Sequence, residues 1–278
     1  MFSRWQGLLK RIYDNSLAQY QFPILIYPFN LWPIHPTITA VDETREIEPA
    51  ETPTARPAER LPPHFILRRL HSISGIMPLG IYVVWHLIIG ASAMSGRQAY
   101  DSLYAFINRI PLLLPLEILF IILPLGFHAI YGITIALRNR SNSFTYPNTD
   151  NLRYTLQRLT GYYLAFFIIV HMYFFWGHIH FTSVGRGAFT SSPYDFVQTH
   201  LKDPSLMVIY TLGVTAAAFH LANGLLIFCM TWGIAVNNRA RRIAGWITAL
   251  FFLLLMFIGI GAVQAFYAGH PVWPYPHG

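Results

Sequence analysis

The chain has 278 residues, of which 54% are hydrophobic and only 11% charged, with a formal net charge of +7. A soluble domain carries roughly 25% charged residues, so this composition excludes a water-soluble globule and points to a protein that faces lipid. The basic excess does not call for nucleic acid as a partner, because no basic stripe with interleaved aromatics is present and membrane proteins gather Arg and Lys on one side.

Two domains are expected, residues 1–60 and 61–278. Met1–Tyr20 sets Trp5, Leu8, Leu9, Ile12 and Tyr13 at helical spacing among Arg4, Lys10 and Arg11. That reads either as a short helix in the membrane interface or as a tail docked on a partner. Phe22–Pro36 is apolar but broken by Pro23, Pro28, Pro33 and Pro36, which excludes a regular spanning helix. Thr37–Arg60 is acidic and Pro-rich, a solvated linker. The start of the chain has no basic–apolar–small-residue pattern, so no cleavage is expected. The single cysteine, Cys229, permits no internal disulfide, and without C-x-x-C-H no c-type haem attachment is expected.

From residue 61 five apolar segments follow, each long enough for the roughly 20 residues a spanning helix needs: Leu70–Met94 (I), Leu112–Leu137 (II), Leu159–Phe181 (III), Ser205–Val236 (IV) and Ile243–Ala268 (V). The fold class is therefore an all-α membrane protein, with segments I–IV forming a four-helix bundle and V packed outside it. Arg68, Arg69, Arg138, Arg140, Arg153, Arg158, Arg239, Arg241 and Arg242 lie at one end of the segments, against Arg97, Arg109, Arg186 and Lys202 at the other. The first set marks the cytoplasmic side, with the N-terminus inside. Trp273 and Tyr275 then fall at or beyond the outer interface.

Segments I to IV each carry one deep histidine: His86, His128, His171 and His220. An ionisable side chain at membrane depth is costly and is a functional candidate by default. One such histidine is often a hydrogen-bonded packing residue; one in each of four helices is a pattern. An internal repeat sharpens it. Phe127-His128-x-x-x-Gly132 matches Phe219-His220-x-x-x-Gly224, while Arg69-Leu70 with Gly75 before His86 matches Arg158-Leu159 with Gly161 before His171. The matched pairs are I with III and II with IV. His86 and His171 lie roughly 15 Å from the outer boundary at about 1.5 Å per residue, and His128 and His220 lie deeper. Two histidines facing each other across a bundle can ligate one haem iron, and bis-histidine ligation suits electron transfer. Gly132 and Gly224, one turn beyond their histidines, either let a flat macrocycle approach the backbone or allow close helix packing.

The stretch Arg68-Arg69-Leu70-His71-Ser72 to His86, Leu116-Glu117-Ile118 to Phe127-His128, Gln157-Arg158-Leu159-Thr160-Gly161 to His171, and Phe219-His220-x-Ala222-Asn223-Gly224-Leu225 to Thr231-Trp232-Gly233 resembles the di-haem cytochrome b anchor of bacterial succinate:menaquinone oxidoreductases. The resemblance covers about residues 65–268 and leaves residues 1–60 unassigned. It implies two haems b, an inner one on His128 and His220 and an outer one on His86 and His171. It also implies a flavoprotein subunit with FAD and an iron–sulfur subunit docked on the cytoplasmic face of a bacterial membrane. The chain would then pass electrons from the iron–sulfur clusters to menaquinone rather than bind succinate. The family pattern sets His71, Ser72 and Arg158 near the inner haem propionates and Asp101 near the position where related fumarate reductases use an acid at the quinol site, while Glu117, inside the outer end of segment II, either exchanges protons with quinone or caps and pairs locally. Ala218 stands where related fumarate reductases use a glutamate for proton movement, so no such path is inferred. His178, His180 and His200 read as outer-surface histidines. Alternatives are a cytochrome b of a hydrogenase or formate dehydrogenase, fumarate reductase running in reverse, and a haem-free histidine relay for protons.

Overall fold

The structure is a computed structural model that describes residues 63–138, 148–177 and 192–272. The expected interfacial helix and linker of residues 1–60, Arg140, His178, His180, Arg186, Trp273 and Tyr275 lie outside the described residues. Among those described there is no β-strand, and five helices are long and apolar enough to cross a membrane.

Span I is built from α1 (Pro63–Ile76) and α2 (Pro78–Ala91), followed by a 3-10 turn, Ser92–Ser95. Proline lacks an N–H and its ring clashes with the preceding turn, so Pro78 ends α1 and opens α2 at the position where proline is tolerated. Met77 N still donates to Ile73 O at 2.8 Å, so the chain continues across the break. Span II has α4 (Leu113–Glu117), a π-helical turn at Ile118–Ile122, and α5 (Leu123–Arg138). The widened turn directly precedes Pro124, which has no N–H to close an α-helical turn.

Span III is α6 (Thr149–His171) and a π-helical turn, Met172–Gly177. It begins ten residues before the expected Leu159, because Asp150, Asn151 and Arg153 are too polar for an apolar window yet form its first turns. The Asn148 side chain caps it, accepting from Asn151 N at 2.9 Å. Span IV, α8 (Pro204–Thr231), is capped by Asp203, whose carboxylate accepts from Ser205 N at 2.7 Å. Span V, α9 (Asn238–Ala268), is capped by Asn237 and stopped by Gly269 in the left-handed region (φ 75°), where glycine has no Cβ penalty.

Spans III, IV and V approach closely through small residues. A Cβ on Gly213 would collide with the Phe167 ring, and one on Gly259 with Val214. Ala216, Ala218 and Ala222 of span IV and Ala262 and Ala265 of span V are buried. Span V carries none of the four histidines but belongs to both core clusters, through Val263, Ala265 and Phe266 in one and Leu255 in the other. Span II contributes no buried side chain, and Ile130 and Leu137 are about 70% exposed, as suits a lipid-facing helix.

Two short helices, not foreseen as elements, cover the end of the bundle away from Arg68 and Arg69: α3 (Arg97–Ile107) and α7 (Pro193–Leu201). Arg97 and Asp195 form an ion pair at 2.6 Å. Tyr194, 1% exposed, donates its hydroxyl to Ala265 O at 3.2 Å. Together these bonds fasten the I–II and III–IV connections to span V.

Candidate functional site

His128 projects from α5 and His220 from α8, and their rings stand 6.3 Å apart at 83°. Each ring is aimed by the span before it. His128 Nδ1 lies 3.1 Å from the His71 carbonyl and 3.4 Å from Ser74 Oγ. His220 Nδ1 lies 3.1 Å from the Gln157 carbonyl and 3.2 Å from Thr160 Oγ1. A carbonyl can only accept, so both rings carry their proton on Nδ1 and keep the Nε2 lone pair for a metal. Two imidazoles on opposite sides of one metal, each with a bond of about 2 Å, have ring centres about 6 Å apart, which is the spacing seen.

The glycines before the outer histidines serve the inner pair. A Cβ on Gly75 would overlap the His128 ring, and one on Gly161 would meet His220 Cε1 at 3.1 Å. The repeat therefore aligns His71, Ser72, Ser74 and Gly75 with Gln157, Arg158, Thr160 and Gly161. That register is three residues away from the Arg69-Leu70 and Arg158-Leu159 match. Gly132 faces the His71 ring and Gly224 the Gln157 amide.

His86 on α2 and His171 at the end of α6 meet as the second pair, ring centres 5.6 Å apart at 82°. His171 lies ten residues beyond Gly161, which sets the two pairs on levels about 15 Å apart at about 1.5 Å per residue. Tyr210 of α8 lies with its hydroxyl 3.2 Å from His171 Nδ1. His86 stacks on Tyr82 at 5.5 Å. No group of three or more His, Cys, Asp or Glu among the described residues is arranged to hold a metal ion. The four histidines meet as pairs, an arrangement suited to an iron whose remaining positions a planar macrocycle fills.

The other candidates have definite neighbours. The His71 ring stacks on His128 at 4.1 Å, nearly parallel. Ser72 Oγ accepts from Trp232 Nε1 at 3.3 Å, and Arg69 lies over the Trp232 ring and donates to the Thr231 carbonyl. Arg158 donates to the Ala136 carbonyl and covers the Tyr154 ring. His71, Ser72 and Arg158 thus share one end of the bundle with His128 and His220. Asp101 accepts from Tyr194 N at 2.9 Å, which employs its carboxylate in capping α7. Glu117 opens span II near Tyr104, whose phenol is raised by burial, lowered by a side-chain hydrogen bond from Asn108, and raised again by the Glu117 charge. His200, expected at the surface, is half-buried and packs on Phe196 and Phe175.

Ser74 and Tyr210 were not singled out from the sequence, and Gln157 and Thr160, though part of the stretch that carries the resemblance, were given no role there. Ser74-Gly75 and Thr160-Gly161 form a repeated hydroxyl–glycine dipeptide that marks the first and third spans. Gln157 and His71 act through backbone carbonyls, which leave no sequence signal.

Residues 137–260 match the family described as succinate dehydrogenase/fumarate reductase transmembrane subunit. The chain is also 35% identical over 202 residues to the succinate dehydrogenase cytochrome b558 subunit of Bacillus subtilis (strain 168), covering 73% of this chain and 96% of that protein. With this identity across nearly the whole relative, and with paired histidines from four spanning helices, the chain belongs to the family of succinate dehydrogenase cytochrome b membrane subunits.

Proposed function

We propose that this subunit carries electrons from an iron–sulfur partner to menaquinone through two bis-histidine haems b. The observation that supports this best is the inner pair, where two Nδ1 groups are tied to carbonyls and two Nε2 atoms are left for a metal. His128 and His220 would hold the inner haem, and His86 and His171 the outer. His71, Ser72 and Arg158 lie at the end where the inner haem's propionates would need hydrogen-bond donors. When bound, the haems supply one-electron carriers between a two-electron quinone and the iron–sulfur chain.

The protein's own part is orientation, exclusion of water and placement of charge. Apolar spans keep water from the histidine pairs, and backbone carbonyls fix the tautomers of His128 and His220. Glu117, beside Tyr104 at the outer end, is the side chain proposed to exchange a proton with quinone. Asp101 is the weaker choice, because Tyr194 N already uses its carboxylate. The Arg-rich end of the bundle is proposed to face the cytoplasm, where the flavoprotein and iron–sulfur subunits of a bacterial complex would dock. An electron moving outward is then favoured by the membrane potential, by about 2.3 kcal/mol per 100 mV, which assists succinate oxidation by menaquinone.

Haem typing and stoichiometry on the purified complex test this reading: about two haems b per chain are expected, and none would overturn it. In intact cells, succinate oxidation through menaquinone should fall when an uncoupler is added; insensitivity would remove the outward direction of transfer.

A further inference from the structure

The two histidine pairs differ in what holds their Nδ1 atoms. Both inner ligands rest on backbone carbonyls at 3.1 Å, which no side-chain substitution removes. The outer ligand His171 meets a side chain instead, the Tyr210 hydroxyl at 3.2 Å. Tyr210 is 7% exposed and is fixed edge-on by Phe167 at 5.2 Å and Phe175 at 5.6 Å. The same two phenylalanines flank the His171 ring, at 5.7 and 5.5 Å. The ring is therefore packed from both sides, whether or not the hydroxyl is there.

A phenol can donate or accept. If Tyr210 donated to Nδ1, the imidazole proton would sit on Nε2 and His171 could not ligate through that atom. If Tyr210 accepts, Nδ1 keeps the proton and Nε2 is free for iron. An acceptor at Nδ1–H also pushes electron density into the ring, which stabilises ferric over ferrous iron and lowers the potential.

We infer that Tyr210 is a positioning residue for the outer haem, accepting the Nδ1 proton of His171 and holding that haem's potential down. The inference rests on the proposed haem ligation. Tyr210→Phe deletes one oxygen and keeps the ring that Phe167 and Phe175 pack against.

The test is a spectroelectrochemical titration of the purified complex, preceded by a haem count. In Tyr210→Phe, two haems are retained, one of the two redox components moves to a more positive potential and the other stays fixed. A fluorotyrosine at position 210, which keeps the oxygen but weakens it as an acceptor, moves the same component in the same direction by less. Thr160→Ala, next to His220, leaves that component unmoved. Retained haems with both components unchanged in Tyr210→Phe would overturn the inference, as would a fluorotyrosine effect equal to none while phenylalanine shifts the potential, since packing alone would then be responsible. A wild-type complex without haem would instead overturn the proposed function, so the two failures are distinguishable.

Discussion

The backbone carbonyl of His71 lies 3.1 Å from His128 Nδ1, and the side chain of the same residue stacks on the same ring at 4.1 Å. One residue of span I thus fixes both the tautomer and the plane of a span II histidine. Gly75, one turn along, completes the seat, because any side chain there would enter the space of the His128 ring.

That seat predicts an unequal response to two alanine substitutions. Gly75→Ala overpacks the ring and is expected to cost about 1–3 kcal/mol and to lower the haem content toward one per chain. Gly161→Ala meets His220 at 3.1 Å, where a shift of a few tenths of an ångström suffices, and should keep both haems. Haem-to-protein ratios of the two purified variants decide it; equal loss in both would contradict the difference in clearance.

Asp101 offers a second test. Its carboxylate accepts from Tyr194 N and so supports the start of α7. Asp101→Asn keeps an acceptor oxygen and should reduce quinone at close to the wild-type rate. Asp101→Ala removes this acceptor while the Ser192 cap remains, and should lower stability by about 0.5–1.5 kcal/mol. A large loss of quinone reduction in the asparagine variant, with stability unchanged, would return Asp101 to the quinone site.

Much of this architecture was legible in the sequence, for physical reasons that also mark where legibility ends. Lipid forces long apolar runs, so the five spans stand out, and a histidine inside such a run is expensive enough to be noticed. The starts of the spans were hidden because polar first turns such as Asp150–Arg153 project beyond the apolar stretch. The Arg69-Leu70 and Arg158-Leu159 part of the repeat was misread by three residues, while Gly75 and Gly161 were matched in register, because His71 and Gln157, chemically unlike, do the same work with their carbonyls. The helices α3 and α7 are short, and their connections rest on the Arg97–Asp195 pair and on Tyr194, which are long-range contacts that no local pattern announces. Tyr210 resembled any aromatic residue in an apolar helix until its neighbour was known.

The cap formed by α3 and α7 should be sensitive to alkali. Burial raises the Tyr194 phenol, the Arg97 charge lowers it, and Asp195 and Asp101 raise it, leaving it above its ordinary value. A group that holds its proton more tightly when folded contributes fully below its unfolded value, about pH 10 for tyrosine. That contribution is lost as the pH rises through the folded value. Chemical denaturation of the purified protein should therefore show stability falling above about pH 10. In Tyr194→Phe, which also loses the bond to Ala265 O at a cost of about 1 kcal/mol, the alkaline loss should be shallower. The same slope in both proteins would mean that Tyr194 does not titrate with cap opening.

Gln157 separates stability from haem binding most cleanly. Its amide donates to His220 O at 3.1 Å and accepts from Asn223 Nδ2 at 2.9 Å, and Asn223 is buried. Gln157→Leu removes both side-chain bonds and leaves a buried donor unsatisfied, at an expected cost of about 1–3 kcal/mol. The Gln157 backbone carbonyl survives the substitution, so His220 Nδ1 keeps its acceptor and Nε2 stays available. Denaturation should therefore begin at lower denaturant while the haem count stays near two and both potentials hold. Loss of one haem from an otherwise stable Gln157→Leu protein would show that the side chain, and not the carbonyl, seats His220.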